Sequence, residues 1–230
     1  MTTAIITGGS RGFGFALAGA LAARQWSVVI DGRDRPSLDT AAKQLGGRVH
    51  GVAGDIAEHA HREALVSMAG ELGGLDLLVN NAGSLGPSPL PPLSDVDPED
   101  LVDLLRVNVA APLALTQLAL PHLAARGGAV VNITSDAAVE AYEGWGAYGS
   151  SKAALEQWSS VLAVEVPDIR VWWFDPGDMR TGMHQAAFPG EDISDRPLPE
   201  SVTPAFLRLL DLRPPSGRIR AADLAVEAAR

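Results

Sequence analysis

The sequence predicts an α/β fold, a doubly wound parallel sheet with helices on both faces in three layers. Short β-rich apolar runs recur along the chain between longer helix-like segments, the alternation of a parallel sheet. The runs are continuously apolar, as strands covered on both faces should be. The segments between them carry Ala, Leu and Glu at helical spacing with few breakers.

In chain order, strands are expected at Ala4 to Thr7, Ser27 to Ile30, Arg48 to Ala53, Leu75 to Asn80, Ala129 to Thr134 and Ile169 to Asp175. Helices are expected to include Phe13 to Arg24, Ala60 to Leu72 and Tyr148 to Val164, and right-handed crossovers place them in a doubly wound arrangement. Two stretches read as irregular: Ser84 to Pro98, which holds five prolines, and Gly182 to Pro199, which mixes Pro, Gly and acidic residues. The second, around 182–199, is expected to be a substrate lid. With 230 residues and 47% hydrophobic content, the chain suffices for one well-buried core, so a single domain over 1–230 is expected.

A formal charge of -10, from 28 acidic and 18 basic residues, opposes nucleic acid and anionic lipid and favours a small-molecule ligand. The absence of cysteine excludes disulfides, iron–sulfur clusters and thiol nucleophiles. The first apolar run, Ala4 to Ile6, follows Met1 too closely for a signal peptide, so a cytoplasmic location is expected. Asn108, Pro112, Thr116 and Gln117 interrupt the apolar stretch Val107 to Leu120, and no membrane span is expected. His59 and His61, two apart near a helix start, share no face, so no metal site is expected.

The first chemical signal is Thr7-Gly8-Gly9-Ser10-Arg11-Gly12-Phe13-Gly14, between the first strand and the first helix. Glycines let the backbone turn and approach a ligand there, and the free N–H groups and dipole of a helix start favour a pyrophosphate. A dinucleotide or nucleotide is implied; the other reading is an ordinary Gly-rich turn. The second signal is Tyr148 with Lys152. With two tyrosines and two lysines in the chain, a chance spacing of four arises roughly one time in sixty. Sixteen of the 18 basic residues are Arg, yet a Lys stands one helical turn from Tyr148. An ammonium is a compact charge that can relay a proton, which guanidinium does not. Bringing a phenol from near 10 to neutrality costs about 4 kcal/mol, and one cation roughly 4 Å away contributes about that at an effective dielectric near 20. Lys152 is assigned that role.

The glycine spacing resembles that of the short-chain dehydrogenase/reductase family. Further family motifs follow in order over residues 4 to 181: Asn80-Asn81-Ala82-Gly83, Asn108, Ser135, Tyr148 with Lys152, Pro176-Gly177 and Thr181. The resemblance implies a Rossmann-like fold and an oxidoreductase that interconverts a carbonyl and an alcohol by hydride transfer, with Tyr148 as general acid/base. It implies that Ser135 bonds the substrate oxygen and that Asn108 anchors a water linking Lys152 to solvent; the plainer readings are a cap for Ser135 and backbone bonding for Asn108. Cofactor contacts are implied for Gly8, Ser10, Arg11, Gly12, Phe13, Gly14, Arg33, Asp55, Ile56, Asn81, Ala82, Gly83, Tyr148, Lys152, Pro176, Gly177 and Thr181. In the favoured register Gly32 takes the place of the acid that reads a ribose hydroxyl, leaving Arg11 and Arg33 for a phosphate, so NADP(H) is preferred. A register shifted by one would turn Asp31 to the ribose and favour NAD(H). Relatives pair through the helices holding Asn108 and Tyr148 and through a last strand, here Gly217 to Arg220, so a homodimer or homotetramer is expected. The alternative is a catalytically silent NADP-binding regulator on the same fold.

Overall fold

Seven parallel strands form one sheet in the order β3-β2-β1-β4-β5-β6-β7. The structure, a computed structural model, describes residues 2–224. Met1 and residues 225–230, part of the expected domain, lie outside the described residues. The strands are β1 (Thr3–Ile6), β2 (Ser27–Gly32), β3 (Val49–Ala53), β4 (Leu77–Asn80), β5 (Ala129–Ile133), β6 (Arg170–Asp175) and β7 (Gly217–Arg220). All six expected strands form, within two residues of their expected ends, and the suggested seventh pairs with β6.

Both faces are covered, which explains the continuously apolar strands. Along β1, Ala4 and Ile6 join a core with Leu17 and Leu21 of α1 (Gly12–Ala23), Leu38 of α2 (Arg35–Leu45) and Phe206 of α8 (Pro199–Leu212). Ile5 points the other way, with Leu65 of α3 (His59–Glu71), Leu115 and Leu123 of α5 (Ala111–Ala124) and Leu162 of α6 (Gly146–Glu165). Fully burying one such side chain stabilises the fold by about 1.5–3 kcal/mol.

The proline-rich stretch 84–98 is irregular apart from a single 3-10 turn at Leu93–Asp95, and Pro98 then starts α4 (Pro98–Leu105). A π-helical turn, Arg106–Ala110, joins α4 to α5. The helical run 98–124 is therefore 27 residues, longer than the stretch read from the sequence and apolar enough to cross a membrane by length and composition. In the fold its Leu115, Ala119 and Leu123 are buried against the sheet. The segment expected as a lid holds α7 (Gly182–Ala187) and irregular chain up to α8, and α9 (Ala221–Leu224) follows β7.

Strand order reverses beside β1, whose neighbours are β2 and β4. That leaves a crevice at the carboxyl ends of β1 and β4, where sheets of this kind bind ligands.

Candidate active site

On the β1 side the Gly-rich loop is held from below. Asp31, buried at the end of β2, accepts from Gly8 N–H at 2.5 Å through Oδ1, and its Oδ2 lies 3.0 Å from His61 Nε2. Thr7 Oγ1 accepts from the N–H groups of Asn81 (3.0 Å) and Ala82 (2.9 Å), and Asn81 Nδ2 donates back to the Thr7 carbonyl at 2.8 Å. Gly12 has φ +57°, and a Cβ on Gly14 would lie 2.5 Å from Asn81 Nδ2 and the Gly8 carbonyl, so a side chain there would push α1 off the loop.

Arg11 makes no side-chain cap for α1, so the first-turn N–H groups, from Gly12 to Gly14, keep no intrahelical acceptor and face the crevice. Across it, a Cβ on Gly177 would meet no atom within 4 Å. An uncapped helix start and a backbone open on its far side fit a dinucleotide. Arg11 and Arg33 are exposed beside the loop. Both side-chain oxygens of Asp31 are engaged, one by Gly8 N–H and one by His61, and Gly32 is the last residue of β2.

Several residues expected to meet a cofactor are occupied otherwise. The Phe13 ring stacks on Phe174 (centroids 6.3 Å) and meets Phe206 edge-on, which leaves only its backbone for a ligand. Ile56 is buried, and its carbonyl accepts from Arg62 Nη1 at 2.6 Å. Asp55 Oδ1 caps the turn before α3 through Ala57 N–H at 2.9 Å. Thr181 Oγ1 caps α7 through His184 N–H (3.1 Å), while its Cγ2 is the atom nearest to where a Gly12 Cβ would stand.

On the β5 side, Tyr148 and Lys152 are both buried, one turn apart on α6, with Nζ 5.6 Å from the ring centroid. Lys152 Nζ donates to the Ile133 carbonyl at 2.9 Å. Asn108 Oδ1 and Lys152 Nζ are both near Gly83, whose Cβ would lie 3.3 and 3.8 Å from them. The Asn108 side chain bonds backbone, accepting from Ser84 N–H and donating to the Ser84 carbonyl (both 2.8 Å), and also donates to Ser151 Oγ at 3.0 Å. Pro112, four residues on, has no N–H to return to the Asn108 carbonyl. Ser135 likewise takes its plainer role: Oγ accepts from Ala137 N–H (3.2 Å), capping a 3-10 turn, and donates to Asp136 at 2.8 Å.

The surroundings work against the acidification of the phenol expected from Lys152. Burial first, then the carboxylates of Asp136 and Asp175, push Tyr148 above the ordinary phenol range. Burial also brings the Lys152 ammonium down to about 8. Burial therefore disfavours both the phenolate and the ammonium.

Other polar groups tie the sheet to α6 through contacts that the sequence does not reveal. Asn80 Nδ2 donates to Asn132 Oδ1 (2.7 Å), and Asn132 Nδ2 to Ser159 Oγ of α6 (2.7 Å), a buried ladder from β4 to α6. Its signals are Asn80 in the Asn80-Asn81-Ala82-Gly83 motif and the polar Asn132 and Ser159 in apolar segments. Thr7 opens the glycine motif yet was not singled out. Trp145 meets Tyr148 (centroids 5.6 Å) and Phe188 (6.0 Å), joining the end of α7 to α6.

A family model described as short chain dehydrogenase matches residues 2–192. The chain is 37% identical over 196 residues to a serine 3-dehydrogenase of Rhizobium radiobacter, covering 80% of this chain and 78% of that one. It is 35% identical over 198 residues to a sepiapterin reductase of Xenopus tropicalis, covering 80% and 76%. A short-chain dehydrogenase structure from Escherichia coli complexed with NADPH superposes with a TM-score of 0.87 at 31% identity, covering 96% of each chain.

Proposed function

The chain belongs to the short-chain dehydrogenase/reductase family and is an oxidoreductase, and from that premise we propose that it is NADP(H)-dependent and interconverts a small-molecule carbonyl and alcohol, with Tyr148 as general acid/base. The observation that carries this reading is the buried Tyr148 and Lys152 pair beside Gly83, facing the crevice onto which the uncapped start of α1 opens. Arg11 and Arg33 hold the ribose phosphate, and the buried carboxylate of Asp31 is turned away from it. The relative solved with NADPH supports that preference.

When bound, the nicotinamide supplies or accepts the hydride and, oxidised, carries a positive charge. In reduction Tyr148 gives its proton to the substrate oxygen, and in oxidation it takes the proton back. Lys152 offers a cation to the phenol and a donor to the ribose. The Ser135 hydroxyl holds the substrate oxygen after turning from Asp136, and the Asn108 carbonyl, which lacks an N–H from Pro112, anchors the water that resupplies the proton. Gly8, Gly12, Gly14, Asn81, Ala82, Gly83, Pro176, Gly177 and Thr181 line the cofactor, with Ser10, Phe13 and Ile56 meeting it through backbone, and the free oxygen of Asp55 faces the adenine. The chain works as one cytoplasmic domain with a lid at 182–199. It pairs with a second copy across α5 and α6, where Leu113, Trp158 and Val161 line an apolar depression and Trp158 Nε1 has no partner among the described residues.

The test is fluorescence titration with NADPH and NADH, then a turnover panel of serine, sepiapterin, aldehydes and ketones for wild type and Tyr148→Phe. NADPH is expected to bind more tightly. The variant should bind it within about threefold of wild type while losing on the order of a hundredfold or more in kcat. Full turnover by Tyr148→Phe would overturn the acid/base role.

A further inference from the structure

Arg218 of β7 touches three elements of the site at once. Its Nε donates to Glu156 Oε1 at 3.0 Å, and its Nη2 donates to Asp175 Oδ2 at 2.9 Å and to the Ser135 carbonyl at 3.1 Å. Register brings this about: Trp173 pairs with Arg218 and Asp175 with Arg220, so Arg218 and Asp175 are diagonal neighbours on one face of the sheet. That face meets α6, where Glu156 stands one turn beyond Lys152 and two beyond Tyr148. Each acceptor is tied onward. Glu156 Oε1 accepts from Thr134 Oγ1 at 2.7 Å, and Asp175 Oδ1 accepts from Gly177 N–H at 3.0 Å.

We propose that Arg218 is a positioning residue, setting Ser135, the helix of Tyr148 and Lys152, and the Pro176-Gly177 turn relative to one another, and offsetting the charge of Asp175 at the phenol. This rests on the acid/base reading of Tyr148. A planar fork with fixed donors can hold a carboxylate on each side and a carbonyl at once; an ammonium keeps the charge but not that geometry. The charge role follows from what surrounds Tyr148. Lys152 lies on its own helix, Asp136 follows β5 and Asp175 ends β6, where Arg218 of β7 is bonded to it, while Arg220 is bonded to Asp223. From α4 and the 84–98 loop, Leu104 and Leu85 share its buried cluster and Leu90, Val96 and Leu101 pack against that cluster, while the acids 99, 100 and 103 stay exposed. His184 of α7 lies against Phe188. Asp175 is one of the two carboxylates that raise the phenol, and Arg218 is the cation bonded to it.

With two tyrosines in the chain, Tyr142→Phe leaves Tyr148 alone to titrate, and its phenolate is followed by ultraviolet absorbance in the full chain saturated with NADP+. In that background Arg218→Gln should move the midpoint up by about one pH unit. Asp175→Asn should move it down, Arg218→Gln with Asp175→Asn should return it near the parent, and Arg218→Lys should leave it near the parent. Arg218→Gln and Arg218→Lys should both lower kcat about tenfold on any substrate that the panel turns over, with NADPH affinity held within about threefold. A purely structural role would lower stability without moving the midpoint. An unmoved midpoint in folded Arg218→Gln overturns the proposal; should that variant not fold, an unmoved midpoint in Asp175→Asn, or an unchanged kcat in Arg218→Lys, does so. Full turnover by Tyr148→Phe would instead sink the acid/base reading itself.

Discussion

The two halves of the crevice are built differently. At the carboxyl ends of β1, β2 and β4, buried polar groups meet neutral or opposite partners: Thr7 with Asn81 and Ala82, and Asp31 with Gly8 and His61. At the ends of β5 and β6, Tyr148 and Lys152 are buried where desolvation opposes the charged form of each. The first half is stabilised by its own bonds and so is shaped before a ligand arrives. The second holds groups away from their ordinary protonation behaviour, as proton-transfer sites do. Under the proposed function, this difference makes cofactor placement and acid/base tuning separate tasks on this sheet, and substitutions should separate them.

The largest effect is expected from Asp31→Ala, which strips partners from the Gly8 N–H and His61. At about 1–3 kcal/mol for each buried group left unpaired, unfolding free energy should fall by about 2–5 kcal/mol in denaturant titration. A loss below about 1 kcal/mol would show that the loop does not depend on this tie.

Lys152→Met should act in the opposite direction on stability. The ammonium sits at about 8 in the folded chain against 10.5 ordinarily, so between these values the unfolded chain binds more protons. Wild-type stability from this group therefore rises with pH across that window and is lost as pH falls through it, by on the order of 2–3 kcal/mol. In the Met variant this rise should vanish from unfolding free energies compared at about pH 7 and about pH 10. A slope equal to wild type would mean that Lys152 is not held under desolvation.

The smallest effect sharpens the first half alone. Arg33→Ala should raise the dissociation constant of NADPH about tenfold and that of NADH less than twofold in fluorescence titration. Equal losses would show that Arg33 does not read the phosphate.

Much of this was legible in the chain. Six apolar runs became six strands because a strand covered on both faces needs no polar alternation. Tyr148 and Lys152 were legible because helical periodicity puts residues four apart on one face. Asp31 was conspicuous, but the partners of its carboxylate were not legible, since His61 of α3 and Gly8 come from 30 and 23 positions away. The readings of Ser135 and Asn108 stayed double for a related reason, since a hydroxyl or amide can serve backbone and substrate alike.

Taken by itself, the sequence determined the layer order, the loop that opens the first helix, and the one-turn spacing of phenol and ammonium, all of which follow from local periodicity and turn chemistry. Only the tertiary structure decided the electrostatics: that Asp136 and Asp175 face Tyr148, that burial lowers Lys152, and that Arg218 joins β5, β6 and α6. Charge interactions depend on distance and on exclusion of water, and both arise when strands far apart in the chain are brought side by side.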